Sequence, residues 1–315
     1  MPIKLLAALC VAIIMLTGAA KAQVCTFGVT NINFGNINIG PGGTSPTSGT
    51  FTATCSGTPG KTITICPNIG DGTGGSTSGM PRLMKNGAAS IPYDLLQANG
   101  QVWGSFVWPY APRAPVFSAT LNAAGSATLS QPIQAVISGS IASAPTGLYS
   151  SVYGTFHTLF DYGYAPAQSC SVVSPRAAQA SFTVQAQNTA TCNVAVTAMN
   201  FGTIAGLTTA QATSNQIAIT CTNGAAYSVG LNNGANGGTA PANRFMASSS
   251  AQKLSYGIFK DASHLQGWGS TVGVDVLTGT GNGAAQNLSA YALMPAQGSP
   301  AAGTYSDTVV VTVNY

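Results

Sequence analysis

Cys25-Thr26-Phe27-Gly28-Val29-Thr30-Asn31-Ile32-Asn33-Phe34-Gly35 and Cys192-Asn193-Val194-Ala195-Val196-Thr197-Ala198-Met199-Asn200-Phe201-Gly202 carry the same frame twice. In each, Phe-Gly follows the cysteine at nine and ten residues. The next cysteine comes 30 residues after Cys25 (Cys55) and 29 after Cys192 (Cys221). The match runs on in one order. Arg82-Leu83-Met84 parallels Arg244-Phe245-Met246, Ile91-Pro92-Tyr93 parallels Leu254-Ser255-Tyr256, and Trp103-Gly104 parallels Trp268-Gly269. Leu129-Ser130 then answers Leu288-Ser289, and Gly147-Leu148-Tyr149-Ser150 answers Gly303-Thr304-Tyr305-Ser306. So many landmarks at nearly constant spacing are an internal duplication. Each copy has the length of one ordinary domain.

Within each copy the apolar period is two. Ile63 and Ile65 alternate with polar neighbours, as do Ile217, Ile219 and Cys221, and Val309, Val311, Val313 and Tyr315. Short alternating runs bounded by Gly, Asn, Ser and Pro are strands of a sandwich joined by turns. No segment sustains a stripe of period 3.6. The sequence therefore predicts an all-β chain of two immunoglobulin-like β-sandwich domains in tandem.

The N-terminus sets the compartment. Lys4, the apolar run Leu5 to Leu16 and Ala20-Lys21-Ala22 have the three parts of a secretory signal peptide, with cleavage expected after Ala22. The apolar run is shorter than the ~20 residues of a membrane span. A lipoprotein signal is the competing reading of Cys10 and Cys25, and Leu9 and Val24 stand where it needs a small residue. The domains then read as 1–22 leader, 23–175 first domain, 176–191 linker and 192–315 second domain. Removing Lys4 and Lys21 leaves eight basic and six acidic side chains, so the formal charge falls from +4 to +2. All six acids are aspartates. This balance offers no basic cluster for nucleic acid or anionic lipid.

Seven cysteines become six once Cys10 leaves, and an even count in an exported chain reads as disulfides. The duplication suggests the equivalent pairs Cys25–Cys55 and Cys192–Cys221, leaving Cys66–Cys170 as an extra bridge. The four cysteines of the first domain still allow three connectivities. There is no CxxC spacing and no neighbouring histidine for a metal site. Catalysis has equally little material. No serine has glycine at both minus two and plus two, six scattered aspartates form no obvious acid–base pair, and His157 and His264 are not equivalent in the two copies. Gly70-Asp71-Gly72-Thr73-Gly74-Gly75 lacks the lysine of a phosphate loop and the carboxylates of a calcium loop, and reads as a turn. No cofactor is expected.

Together these landmarks resemble the spore coat protein U family, whose members include subunits of archaic chaperone–usher (Csu-like) pili. The resemblance covers nearly the whole mature chain, and a two-domain member resembles the tip adhesin of such a pilus. It implies incomplete immunoglobulin-like sandwiches and export through the periplasm to the cell surface. It also implies three partners: a periplasmic chaperone, an outer-membrane usher, and a neighbouring subunit that donates a strand. Only Gln23 and Val24 would precede Cys25 in the mature chain, too little to donate, so the subunit is expected to end a fibre. Phe182, Val184 and Ala186 alternate inward in the run before Cys192, and are expected to supply the closing strand of the first domain. The second domain is expected to lack its last strand and to expose an apolar groove.

The duplication also serves as an internal control for adhesion. After Trp103-Gly104 the first copy carries Phe106, Trp108, Tyr110 and Phe117, stiffened by Pro109, Pro112 and Pro115. The second copy runs from Ser270 to Gly283 without an aromatic. A shared core does not need those rings. They are candidates for contact with an abiotic or host surface, by hydrophobic adhesion or by stacking on sugars, with packing beneath a long loop as the structural alternative. Phe160, Tyr162 and Tyr164 form a second candidate loop. The competing role is a non-tip minor pilus subunit, or a coat-type protein that serves assembly alone.

Overall fold

The computed structural model describes residues 22–38, 44–77, 81–108, 113–139, 141, 143–164, 170, 176–239 and 241–315. They fold as two immunoglobulin-like β-sandwiches, and no α-helix occurs among them. Residues 1–21 of the leader and Tyr110 lie outside the described residues.

The first domain contains β1 (Val24–Val29), β2 (Ile32–Ile37), β3 (Thr44–Ser56), β4 (Thr62–Ile69), β5 (Arg82–Asn86), β6 (Ala89–Leu96), β7 (Phe117–Thr120), β8 (Ser126–Ser138), β9 (Gly147–Tyr153), β10 (Thr158–Tyr164), β11 (Arg176–Ala178) and β12 (Phe182–Asn188). One sheet has the order β1-β3-β8-β6-β5-β9-β12-β2, the other β11-β10-β4-β7. Ile63 and Ile65 of β4 meet Phe51 and Ala53 of β3 in a core that also takes Trp103 and Phe160. The segment read as a linker is thus built into the domain. Its first part extends one sheet and its second part enters the other.

β12 runs antiparallel to β9, from Phe182 opposite Tyr153 to Asn188 opposite Gly147. On its other side it runs parallel to β2, with Val184 opposite Ile32 and Asn188 opposite Ile37. Period two then sends Phe182, Val184, Ala186 and Asn188 inward, all buried, and leaves Thr183, Gln185 and Gln187 half-exposed. The Phe182 ring stacks on Tyr153 at 4.3 Å.

The second domain repeats the plan with β13 (Cys192–Val196), β14 (Gln211–Cys221), β15 (Ala226–Leu231), β16 (Arg244–Ala247), β17 (Lys253–Phe259), β18 (Leu277–Thr280), β19 (Ala285–Met294) and β20 (Val311–Asn314). Its sheets are β13-β14-β19-β17-β16 and β18-β15-β20. Counterparts of β2, β9, β11 and β12 are missing from these sheets. Disulfides join Cys25 to Cys55, Cys192 to Cys221 and Cys66 to Cys170. The first two link directly opposed residues of β1 and β3 and of β13 and β14.

The repeated arginine and tryptophan form one node in each core. Arg82 is fully buried and donates from Nε to the Gly70 carbonyl at 2.7 Å, and from Nη2 to Ile69 at 3.0 Å and Trp103 at 2.7 Å. Arg244 repeats this with Asn232 at 2.8 Å, Leu231 at 3.1 Å and Trp268 at 2.7 Å, and adds the Pro241 carbonyl. The indole N–H groups of Trp103 and Trp268 donate to Pro67 and Val229 at 2.9 and 2.8 Å. A buried guanidinium is tolerated where carbonyls replace its water, and its planar fork ties loop to strand. Burial holds the Arg244 pKa below its usual value, with Asp307 among the charges opposing that shift.

Phe182→Ala should remove the stacked ring and leave a cavity at the start of β12. The expected cost is about 3–5 kcal/mol. Calorimetry should show the first domain's transition shifted down and the second domain's unchanged.

Candidate functional site

Two features of the chain differ between the copies, and each is a candidate site. The first is an apolar cluster at the end of domain 1 where β12 begins. Asn68, fully buried on β4, organises its base. Its Oδ1 accepts from the Phe106 backbone N–H at 2.7 Å and from Ser105 Oγ at 3.4 Å. Its Nδ2 donates to the Leu159 carbonyl and to Asp161 Oδ2, both at 3.0 Å. Burial raises the Asp161 pKa, and the Asn68 hydrogen bond opposes that shift. Ser105 Oγ in turn accepts from the N–H groups of Val107 and Trp108 at 2.9 and 3.0 Å, which folds residues 105–108 into a tight turn.

This turn holds apolar side chains outward. Phe106 is 38% exposed and Val107 49%, and the Arg113 guanidinium lies 5.3 Å over the Phe106 ring. Trp108 is half-buried against Gly70, where an added Cβ would stand 3.3 Å from the indole. Gly70 N–H also donates to the His157 carbonyl at 2.8 Å, bringing up the turn between β9 and β10. That turn presents Phe156, 86% exposed.

The expected aromatic set is therefore redrawn. Phe106 and Trp108 sit in the cluster, and Tyr110 lies outside the described residues. Phe117 belongs to the core: its half-buried ring packs against Phe51 and Trp103 at 5.9 and 5.7 Å, because β7 pairs with β4 and points it inward. Phe160, Tyr162 and Tyr164 are not a loop but part of β10, with Phe160 and Tyr162 buried. Phe156 was missed. Its signal was a length difference: Gly154 to His157 separate β9 from β10, whereas Val310 alone joins the matching positions Val309 and Val311. Asn68 was missed as well. Its counterpart is Gly230, where a side chain would meet Ser270 Cα at 3.0 Å, so the loop after Trp268 takes a different course. That second loop exposes Val272 and Val274 rather than rings.

The second feature is a groove of about 600 Å³ in domain 2. It occupies the position that β12 fills in domain 1. Met199 and Phe201 form one wall, Tyr305 lies on the other, and Met246, Leu254 and Met294 form the floor. The matching residues Ile32, Phe34 and Tyr149 of domain 1 are buried, whereas Met199, Phe201 and Tyr305 are half-exposed. Phe201 keeps the edge-to-face contact with Tyr256 at 6.4 Å that Phe34 makes with Tyr93 at 6.5 Å. The second wall is held from behind. Asp307 accepts from Tyr256 Oη at 2.7 Å, Ala235 N–H at 2.9 Å and Asn236 Nδ2 at 3.0 Å. Burial and the Asp307 acceptor push the Tyr256 phenol well above its usual pKa. The groove thus has an apolar floor and two walls outside any strand, in the place where β12 lies in domain 1.

The family model of the Spore Coat Protein U domain matches residues 10–154 and 178–312. No curated protein matches the sequence. Among solved structures, the chain is similar to the CsuC–CsuE chaperone–tip adhesion subunit pre-assembly complex from archaic chaperone–usher Csu pili of Acinetobacter baumannii. Identity there is 14%, covering 93% of this chain and 100% of that one, with a TM-score of 0.49. It is also similar to the CupB6 tip adhesin from Pseudomonas aeruginosa at 10% identity, covering 93% and 94%, with a TM-score of 0.37.

Asn68→Ala should free the Phe106 amide and the Ser105 turn while leaving the sandwich intact. Leaving these buried groups unmatched costs about 1–3 kcal/mol. Hydrogen exchange should show faster loss of protection at residues 105–108 than elsewhere in the domain.

Proposed function

The chain belongs to the Spore Coat Protein U domain family, and from that premise we propose that it is the adhesive end subunit of a chaperone–usher pilus. One observation carries the reading. Domain 1 contains β12 in its own sheet, while the matching groove of domain 2 is open among the described residues. A subunit with one self-filled domain and one acceptor groove can be joined from one side only, which suits the end of a fibre. The acceptor groove takes a strand donated by the next subunit. Before assembly it needs a periplasmic chaperone, because an open apolar groove between unpaired edges invites aggregation. An outer-membrane usher then passes the subunit to the cell surface.

The cluster Phe106, Val107, Trp108 and Phe156 is the adhesive surface in this reading. It lies where β12 starts, at the opposite end of that strand from Asn188, after which the chain continues into domain 2. Contact with an apolar solid contributes roughly 1.5–3 kcal/mol for each large side chain fully covered. After association costs the single-site affinity is modest, and many fibres per cell raise it through avidity. Attachment and biofilm growth on plastics follow from this chemistry.

The triple variant Phe106→Ser, Trp108→Ser and Phe156→Ser changes only side chains with exposed or half-exposed surface. It should keep the wild-type circular dichroism spectrum and lose at least about tenfold in coverage of polystyrene, with little change on clean glass. Full retention on polystyrene would leave a minor-subunit or coat role as the better reading.

The groove can be tested separately. Appending residues 180–189 after Tyr315 through a flexible linker of about twenty residues should convert a chain that aggregates without chaperone into a monomer with a higher second melting transition. Light scattering and calorimetry read both effects. An unextended chain that stays monomeric at high concentration would remove the need for a donor.

A further inference from the structure

Domain 1 ends its filled groove with a polar contact, and domain 2 retains the acceptor half of that contact. In domain 1 the last inward residue of β12 is Asn188, 1% exposed. Its Nδ2 donates to the carbonyls of Ala144 at 2.9 Å and Pro145 at 3.1 Å. The Pro145 carbonyl also accepts from Tyr149 Oη at 2.9 Å, using its second lone pair. In domain 2, Tyr305 Oη donates to the Ala301 carbonyl at 2.8 Å across the same four-residue spacing. The repeat makes Pro300 and Ala301 the counterparts of Ala144 and Pro145, and both line the open groove.

We propose that the strand entering the domain 2 groove carries an asparagine six residues after its first inward apolar residue, and that this amide fixes its register on the Pro300–Ala301 carbonyls. The proposal rests on the reading that the groove accepts a donated strand. Its occupant is an extended peptide of the pattern apolar-x-apolar-x-small-x-Asn, laid parallel to the Phe201 segment and antiparallel to Thr304–Asp307, as β12 lies on β2 and β9.

The physical reason is that alternation alone does not set register. A slip of one residue turns every side chain to the wrong face and is excluded by the apolar floor. A slip of two keeps the faces correct, so it needs a different discriminator. The amide supplies one. Moved by two residues, it would be buried against Met246, Leu254 or Met294 without a partner, or an apolar side chain would cover the carbonyls and strip their water.

The probe is the peptide of residues 181–190, fluorescently labelled and titrated into the full mature chain by anisotropy. Hydrogen exchange locates it through protection of residues 199–204 and 304–307. Two further peptides carry Asn188→Leu and Asn188→Ala. The expected result is binding of the native peptide, with both variants about tenfold weaker. A groove that wanted only apolar surface would bind the leucine peptide at least as well as the native one. That result would overturn the amide pin and leave the strand-acceptor reading standing. If no peptide binds, or if protection falls elsewhere, the acceptor reading itself is overturned and the pin with it.

Discussion

Backbone pairing in an incomplete sandwich is the constraint on which the rest of this molecule depends. A sheet gap between two edges leaves a row of N–H and C=O groups and a strip of apolar side chains without cover. Domain 1 removes the problem within its own chain, because Phe182–Asn188 lies between β9 and β2 and pairs with both. Domain 2 contains the same two walls without the intervening strand. There Met199, Phe201 and Ile204 do not form a strand and stay half-exposed, although Ile32, Phe34 and Ile37 do so in the first copy. The difference follows from pairing. Without a neighbour on one side, this segment has too few ladder partners to be held as a strand.

What keeps the open domain ordered is the part of the core that lies away from the groove. The Arg244–Trp268 node joins the end of β15 to the loop after β17 through backbone carbonyls, and Asp307 fastens the free wall to Tyr256, Ala235 and Asn236. In domain 1 the position of Asp307 is taken by Ser151, which receives the Gly74 N–H at 3.1 Å. The closed domain can use this weaker neutral contact because β12 holds the other side of β9. Duplication therefore gave two versions of one core: one closed by its own strand and one left open.

The exposed apolar cluster of domain 1 is a local elaboration of the same scaffold. Asn68 replaces a glycine of the sister domain, so its amide can gather the turn at Ser105 and redirect the chain outward. The four-residue turn carrying Phe156 similarly lengthens the crossover from β9 in one sheet to β10 in the other. Neither change disturbs the sheets, which explains how one copy can carry aromatics at its end that the other lacks.

Reading the residues alone was enough for the duplication, the alternating strands, the closing run at Phe182, Val184 and Ala186, and the symmetry of the cysteines. Each of these is periodic or repeated, and periodicity survives in one dimension. The sequence could also single out an aromatic stretch after Trp103, because the second copy provided a comparison. It could not divide that stretch into core and surface. Phe117 and Phe106 look alike as letters, and only the pairing of β7 with β4 turns the first ring inward. Phe156, Trp108 and Asn68 are far apart in the chain, and the close packing of three separate segments at Gly70 brings them together. The contact of Asn188 with Ala144 and Pro145 likewise depends on β12 lying beside β9, a long-range pairing that no local pattern encodes.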